Sequence, residues 1–331
     1  MKFSLIICTY MRPKALTELL NSVKIQTSYP NEILIVDGST DDKTNLLFAN
    51  ESFKNLSYYK VDATERGLTR QRNIGISKVN DTIDIVCFLD DDTILEPTYF
   101  ENLIETYSIY PNAIAVGGYI TNEVDWNKKD KAVLYNEYEQ DGFVRKLGKR
   151  NVLRKRLGLL SNQPPGIMPE FSNGFSVSFL PPTDKVYEVE YFMGGVASYK
   201  KEVFNQISFS DYFEGYGLYE DLDFCLRVSK LGKLYVNTGA KLEHHHEPSG
   251  RPNKYQYGKM VVRNGWYVWR VKYPNPTLKA RIQWNVIIFL QILLRGLNFF
   301  STNKRVEALT EVVGRKIGWW SLVFNKPKVK E

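Results

Sequence analysis

Through the first 120 residues, short β-branched runs alternate with apolar residues at helical spacing, the pattern of a parallel sheet covered by helices. Strands are expected over residues 3–8, 32–36, 57–61, 83–89 and 113–119. Between the first two, Ala15, Leu16, Leu19, Leu20 and Val23 recur on one helical face after Pro13, a residue suited to a first helical turn. The next crossover is expected over 41–49, with Asp41 and Asp42 in its first turn, where the helix dipole favours negative charge. A third helix opens at Gly67-Leu68-Thr69.

From about 121 to 185 the alternation lapses, and turn residues such as Pro164-Pro165-Gly166 and Pro181-Pro182 take over, as in an insertion that shapes a site. Order returns over 186–193. A helix is expected over 220–231, its inner face formed by Leu222, Cys225, Leu226 and Val228 and its end marked by Gly232, and a strand follows over 233–236. Beyond the histidines the chain becomes basic, aromatic and helical. Within 284–300, 12 of 17 residues are apolar, but Gln291, Arg295 and Asn298 interrupt them. That reads as a helix lying at a membrane interface or packed on the domain, since a spanning helix needs about 20 apolar residues. The domains implied are an α/β unit over 1–250 (a nucleotide-binding half to 120, an insertion over 121–185, an acceptor and catalytic half over 186–250) and a helical extension over 251–331.

Charge and cysteine usage narrow the setting. A formal charge of +7 suits an anionic partner, and anionic lipid and phosphorylated substrates both qualify; nothing besides charge speaks for nucleic acid, which is not expected. Cys8, Cys87 and Cys225 are widely spaced within apolar stretches, without a disulfide or zinc pattern, as in a reducing compartment. The apolar start is too short for a signal peptide and lacks a cleavage site, so a cytoplasmic protein is expected. The stretch 145–156 holds seven Lys or Arg in twelve residues. It is either a solvated face or, with the 284–300 helix and the Lys326-Pro327-Lys328-Val329-Lys330 tail, a platform for anionic lipid.

Chemistry concentrates in a few places. Asp90-Asp91-Asp92 follow a buried strand, where side chains project into the ligand crevice of an open α/β sheet. Adjacent carboxylates there suit a divalent cation that bridges to phosphate, although an acidic helix cap has the same composition. Glu220-Asp221 open a helix, a place where acids are common in any case. All three histidines of the chain stand together as His244-His245-His246. Thr9-Tyr10 and Asp37 fall just past the first two strands, placed to hold a base and ribose. The helix at Gly67 brings Arg70 and Arg72 to an amide-rich terminus suited to a diphosphate.

In this order, from Lys2 to about Tyr273, these residues resemble glycosyltransferase family 2, the inverting group with the GT-A fold. The resemblance implies an α/β, Rossmann-like, mixed and mostly parallel sheet flanked by helices, with a C-terminal helical extension. It implies that Thr9, Tyr10 and Asp37 recognise the nucleoside, that Arg72 supports the diphosphate, and that Asp90 and Asp91 contact the donor. Asp90 and Asp92 are similar to the DxD pair, with His244 or its neighbour His246 completing a site for Mn²⁺ or Mg²⁺. Glu220-Asp221 resembles the family's ED motif, making Asp221 the acceptor base, and Gly194 and Gly195 match the segment flanking the sugar. The partners implied are a UDP-, dTDP- or GDP-linked sugar, a glycan or lipid-linked acceptor and an anionic membrane surface, with the protein peripheral on the inner face of the plasma membrane. Arg263 is followed by Asn264, so the Gln-x-x-Arg-Trp signature of processive synthases is absent and a single transfer is expected. The competing readings are a nucleotide-sugar-binding protein without turnover and a sugar nucleotidyltransferase. The latter calls for a glycine- and arginine-rich loop after the first strand, and Thr9-Tyr10-Met11-Arg12-Pro13 is not one. A dehydrogenase is disfavoured because no G-x-G-x-x-G follows that strand.

Overall fold

The computed structural model describes residues 1–50, 52–213, 215–246 and 252–329. The first half runs β1 (Phe3–Thr9), α1 (Pro13–Lys24), β2 (Glu32–Asp37), α2 (Lys43–Asn50), β3 (Leu56–Lys60), α3 (Leu68–Ser77), β4 (Ile85–Asp90), β5 (Thr93–Leu95), α4 (Tyr99–Ile109) and β6 (Ala113–Ile120). Next come β7 (Asn127–Lys128), β8 (Glu137–Gln140), β9 (Phe143–Lys146) and α5 (Lys149–Arg156), and then β10 (Val186–Val189) and β11 (Val196–Lys200). The chain continues with α6 (Glu220–Val228), β12 (Lys233–His244), α7 (Lys254–Lys272), α8 (Leu278–Ser301) and α9 (Arg305–Phe324). It divides into two compact units, Met1–Asp125 with Val177–Gly250, and Trp126–Ser176 with Arg251–Glu331. The segment 126–176 therefore groups with the C-terminal helices. The expected boundary at 250/251 and Lys330 of the basic tail lie outside the described residues.

In the first unit, nine strands form one mixed sheet among the described residues, in the order β10-β12-β6-β11-β4-β1-β2-β3, with β5 paired to β12. Strands β3, β2, β1 and β4 run parallel, and β11 is antiparallel to both β4 and β6. The inner strands are covered on both faces, which is why they read as nearly continuous apolar runs. Leu5 and Ile7 of β1 and Ile33 and Ile35 of β2 pack with Leu16, Leu19, Leu20 and Val23 of α1 in one buried cluster. Pro13 begins α1 as expected, but α6 stops at Val228, short of Gly232. The strand expected over 233–236 continues to His244 across a register irregularity between Val236 and Lys241. Cys8, Cys87 and Cys225 are free thiols.

The second unit contains a three-stranded antiparallel sheet, β7-β9-β8, and the helices α5, α7, α8 and α9. Helices α7 and α9 come close enough that a Cβ on Gly258 or Gly314 would overlap the backbone of the facing helix, at Glu311 and Tyr255 respectively. Trp269 of α7 stacks on Trp284 of α8 with centroids 5.1 Å apart, and its indole Nε1 donates to the Glu170 carbonyl at 2.6 Å. Asn253 and Thr277 cap α7 and α8, each accepting a backbone N–H three residues on.

Candidate active site

The site lies in the first unit, at the carboxyl ends of the parallel strands. Strand register sets Cys8 beside Asp90 and Thr9 beside Asp37, so three strand ends open side by side. Gln71 of α3 ties β1 to β2: its Nε2 donates to the carbonyls of Thr9 (3.1 Å) and Val36 (2.8 Å), and its Oε1 accepts from Gly67 N. The buried Asp37 carboxylate accepts from Ser39 N at 2.7 Å and from the Tyr58 hydroxyl at 2.8 Å. Tyr10 is half-exposed, and the Arg66 guanidinium lies 5.6 Å from its ring centroid.

The three consecutive aspartates have separate surroundings. Asp91 is buried, accepting from Thr9 Oγ1 at 2.6 Å and pairing with Arg12 Nη1 at 3.0 Å. Burial pushes its carboxyl up to about 6, with Arg12 and Thr9 pulling the other way. Asp90, whose side chain is 37% exposed, faces the open end 3.6 Å from Arg72 Nη2. Asp92 meets His244, whose Nε2 is 3.1 Å from Asp92 Oδ1.

His244 reaches Asp92 because β12 runs alongside β5, the strand that follows the aspartates. His244 pairs with Thr93, and His245 N donates to Asp92 O at 2.9 Å. The Asn122 side chain clamps the His244 backbone, accepting from its N at 3.0 Å and donating to its O at 3.1 Å. On the ring's other side, Glu123 Oε1 lies 3.4 Å from His244 Nδ1 and 2.8 Å from His246 Nε2. Burial works against a charge on His244, but Asp92 and Glu123 outweigh it and raise the ring to about 10. His245 turns outward to Glu243.

Donor atoms of Asp90, Asp92 and His244 lie within 4.8 Å of one another, and so do those of Glu123, His244 and His246. Two carboxylates and an imidazole are a donor set that fits Mn²⁺ and tolerates Mg²⁺, and three protein ligands leave coordination positions for phosphate oxygens.

Opposite the aspartates stands the start of α6. Tyr219 holds a left-handed backbone (φ 72°), an uncommon state for a non-glycine residue, immediately before Glu220 and Asp221 in the first turn. Glu220 is buried with its Oε1 on Arg72 Nη1 at 2.5 Å, while its Oε2 has no hydrogen-bond partner among the described residues. Burial raises the Glu220 carboxyl against the pull of Arg72, which stays charged between Glu220 and Asp90, with the Phe88 and Phe209 rings 5.6 and 5.2 Å away. Asp221 has no ion-pair partner among the described residues; it accepts from Leu222 N at 2.8 Å and from Gly194 N at 3.4 Å. Burial raises its carboxyl as well.

Gly194 and Gly195 join the two halves. A Cβ on Gly195 would overlap the Asp90 carboxylate, and one on Gly194 would sit 2.7 Å from both Arg72 Nη1 and Glu220 Oε1 and 3.1 Å from Asp221 Cβ. Only glycine lets this turn pass between the aspartate cluster and α6. Most of the residues singled out in the sequence thus gather at one end of the sheet, with Asp91, Glu220 and Arg72 engaged in buried pairs; Arg70 instead donates to the Thr64 carbonyl, and His245 turns away. Sequence reasoning missed Glu123, Gln71 and Arg12. Of these only Arg12 carried a signal, as a cation directly after β1 facing three aspartates.

This mixed sheet, with an acidic cluster at its parallel strand ends, belongs to the GT-A class of α/β folds. Residues 4–177 match the sequence model of the family described as Glycosyl transferase family 2, and the chain belongs to that family. The match ends before Glu220, Asp221 and His244. The chain is 31% identical over 140 residues to a glucosyl-dolichyl phosphate glucuronosyltransferase of Haloferax volcanii, covering 38% of this chain and 40% of that protein. It is 31% identical over 109 residues to the O-antigen chain rhamnosyltransferase RfbN of Salmonella typhimurium, covering 33% of this chain and 34% of that one. The alignments thus span well under half of these relatives. A crystal structure of GalNAc-T7 with UDP, GalNAc and Mn²⁺ superposes with a TM-score of 0.50 at 15% identity, over 79% of this chain and 48% of that chain, a likeness of fold.

Proposed function

We propose that the protein is an inverting glycosyltransferase that moves one sugar from a UDP-, dTDP- or GDP-linked donor to a hydroxyl of a glycan or lipid-linked acceptor. The reading places it at the cytoplasmic face of a membrane, with Asp221 as the base. The observation that carries it is the Gly194–Gly195 turn, packed against Asp90 on one side and Asp221 on the other. The relatives named for glucuronosyl and rhamnosyl transfer agree in reaction class.

Asp221 is the carboxylate suited to the proton. It has no ion-pair partner among the described residues, two backbone amides fix its orientation, and burial raises its basicity against the pull of Arg72. It takes the proton of the attacking hydroxyl as that oxygen bonds to the anomeric carbon and the bond from that carbon to the diphosphate oxygen breaks. Such positioned base catalysis is worth about 10²–10⁴ in rate. Asp37, with Thr9 and Tyr10 beside it, lines the nucleoside end, and the charged Arg72 lies behind Asp90. Asp90, Asp92 and His244 would hold Mn²⁺ or Mg²⁺, which when bound supplies positive charge against the leaving diphosphate. Glu220 keeps Arg72 in place, a positioning role.

The test is a panel of nucleotide sugars incubated with the protein and Mn²⁺, then with EDTA. Nucleoside diphosphate release confined to one donor and to the metal-containing arm is expected, and the anomeric configuration of the product, read by NMR, reports inversion. Release that ignores EDTA, or a product that keeps the donor's configuration, overturns the corresponding part of the reading.

A further inference from the structure

Two apolar stripes on the second unit are exposed, with nothing among the described residues covering them. On α8, Ile282, Val286, Phe289, Leu293, Leu297 and Phe300 recur every three or four residues and are between 38% and 78% exposed. On α9, Val306, Leu309, Val313, Ile317, Trp320 and Phe324 do the same, between 41% and 78%. The residues that bind the helices together are different ones: Trp284, Ile287, Ile288 and Ile292 on α8, and Ala308, Val312 and Leu322 on α9, are buried.

The stripes open on one side. Asn285 meets Trp319, Arg295 meets Glu311 and Gly296 faces Val312, so the helices run antiparallel. At ~100° per residue, each stripe lies about a third of a turn from its own helix–helix contact, in the same rotational sense. In an antiparallel pair that turns both stripes to the same face, with α7 packed on the opposite one. The result is one apolar surface of twelve large, exposed side chains, the kind of contiguous patch that marks an interaction site.

Charge identifies what covers it. Helix α8 has no acidic residue; on α9, Glu311 is buried against Arg295 and Arg315, and Glu307 lies near Lys254 and Lys304. The exposed charges on and beside the pair are Lys279, Arg281, Lys304, Arg305, Lys316 and Lys326, and α5, which touches α8, adds Lys149, Arg150 and Arg156. A second copy docked face to face would bring these cations against one another.

We infer that the α8–α9 hairpin is an in-plane anchor for a bilayer with anionic headgroups, its stripes set among the upper acyl chains and its cations at headgroup level. Helix α8 is long enough for a membrane span at 24 residues, and an 18-residue stretch of it has a mean hydropathy of 1.3. Its inner face, however, carries Arg295 in a bond to Glu311, which a crossing would strip from α9 and carry into hydrocarbon. Lying flat keeps that pair inside the protein. The inference stands without the transferase reading and adds a surface to it.

The test is co-sedimentation of the full chain with vesicles of phosphatidylcholine alone and of equal parts phosphatidylcholine and phosphatidylglycerol. Binding is expected on the anionic vesicles, weakening as salt rises. Phe289→Glu with Leu293→Glu should lower partitioning by ~100-fold or more, since each puts a charge where an apolar side chain would enter the bilayer. Both positions are exposed, so the far-UV melt should hold, and nucleoside diphosphate release in solution should match the parent, which separates failure of the anchor from failure of the transferase. Arg281→Glu with Lys316→Glu should weaken binding to anionic vesicles only. Binding that is equal on both vesicle types, or unchanged in the double glutamate variant, overturns the inference. So does a parent that stays off vesicles and sediments as a dimer that the glutamate variant splits.

Discussion

Glu123 offers the sharpest test of how the histidine is held. Its Oε1 stands 3.4 Å from His244 Nδ1 while His244 Nε2 faces Asp92, so the carboxylate favours the tautomer that keeps its proton on Nδ1 and leaves Nε2 for a cation. Loss of such an outer carboxylate typically weakens metal binding about 10–100-fold, or about 1.4–2.7 kcal/mol. The Nδ1 contact is long and Gln keeps an acceptor, so Glu123→Gln should fall near the tenfold end and Glu123→Ala toward the hundredfold end. Calorimetric titration of the metal-free protein with Mn²⁺ reads this directly, with a thermal melt as the check on folding. If Glu123→Ala binds Mn²⁺ within about twofold of the parent while Asp92→Ala does not bind, the orienting role is wrong. A stoichiometry of two ions, reduced to one by Glu123→Ala, would instead make Glu123 and His246 ligands of a second ion.

Asp221→Asn should stop transfer by about 10²–10⁴ while leaving donor affinity nearly intact; unchanged turnover removes the base assignment. Gly195→Ala forces the Asp90 carboxylate aside, so calorimetry should show lost metal-dependent donor binding, and an unaltered isotherm contradicts the crowding described. Arg72→Met leaves Glu220 buried without its cation and should cost about 3–5 kcal/mol in denaturant unfolding; a cost under about 1 kcal/mol speaks against that pair. Gln71→Leu removes the side-chain bonds to the Thr9 and Val36 carbonyls and takes away the acceptor of the Gly67 amide, for an expected loss of about 1–3 kcal/mol, checked by the shift in urea midpoint.

The parallel half of the sheet was legible because strands covered on both faces must be largely apolar, and 3–8, 32–36 and 83–89 are, each with a single polar residue at or near its start. Strand β11 was not, because Val196–Lys200 follows two glycines and contains Ser198 and Lys200, so nothing local marks it as central. The far half of β12 was hidden by Asn237-Thr238-Gly239, polar residues that are satisfied in place: Asn237 donates to Thr106 and Thr238 to the Lys185 carbonyl. The three-stranded sheet in 126–176 buries too little to show a period of two. At the site, Asp90-Asp91-Asp92 could be picked out as a group, but their separate surroundings could not, since Arg12, Arg72 and His244 reach them from distant parts of the chain. Glu123 sits in no motif, and the bonds of Thr121 and Asn122 to β12 bring it to His244.

The short pairing of β5 with β12 bears on when this protein becomes competent during synthesis. Asp90 and Asp92 leave the ribosome some 150 residues before His244, and β12 must enter beside β6 and β5 before the imidazole can approach them. A nascent chain ended at residue 177, the limit of the family match, has the strand ends and all three aspartates but neither the histidine nor the ED helix. On the proposed site of Asp90, Asp92 and His244, tight uptake of Mn²⁺ by a series of lengthening chains should begin only once β12 has emerged, which would make cation capture a clock for completion of the sheet.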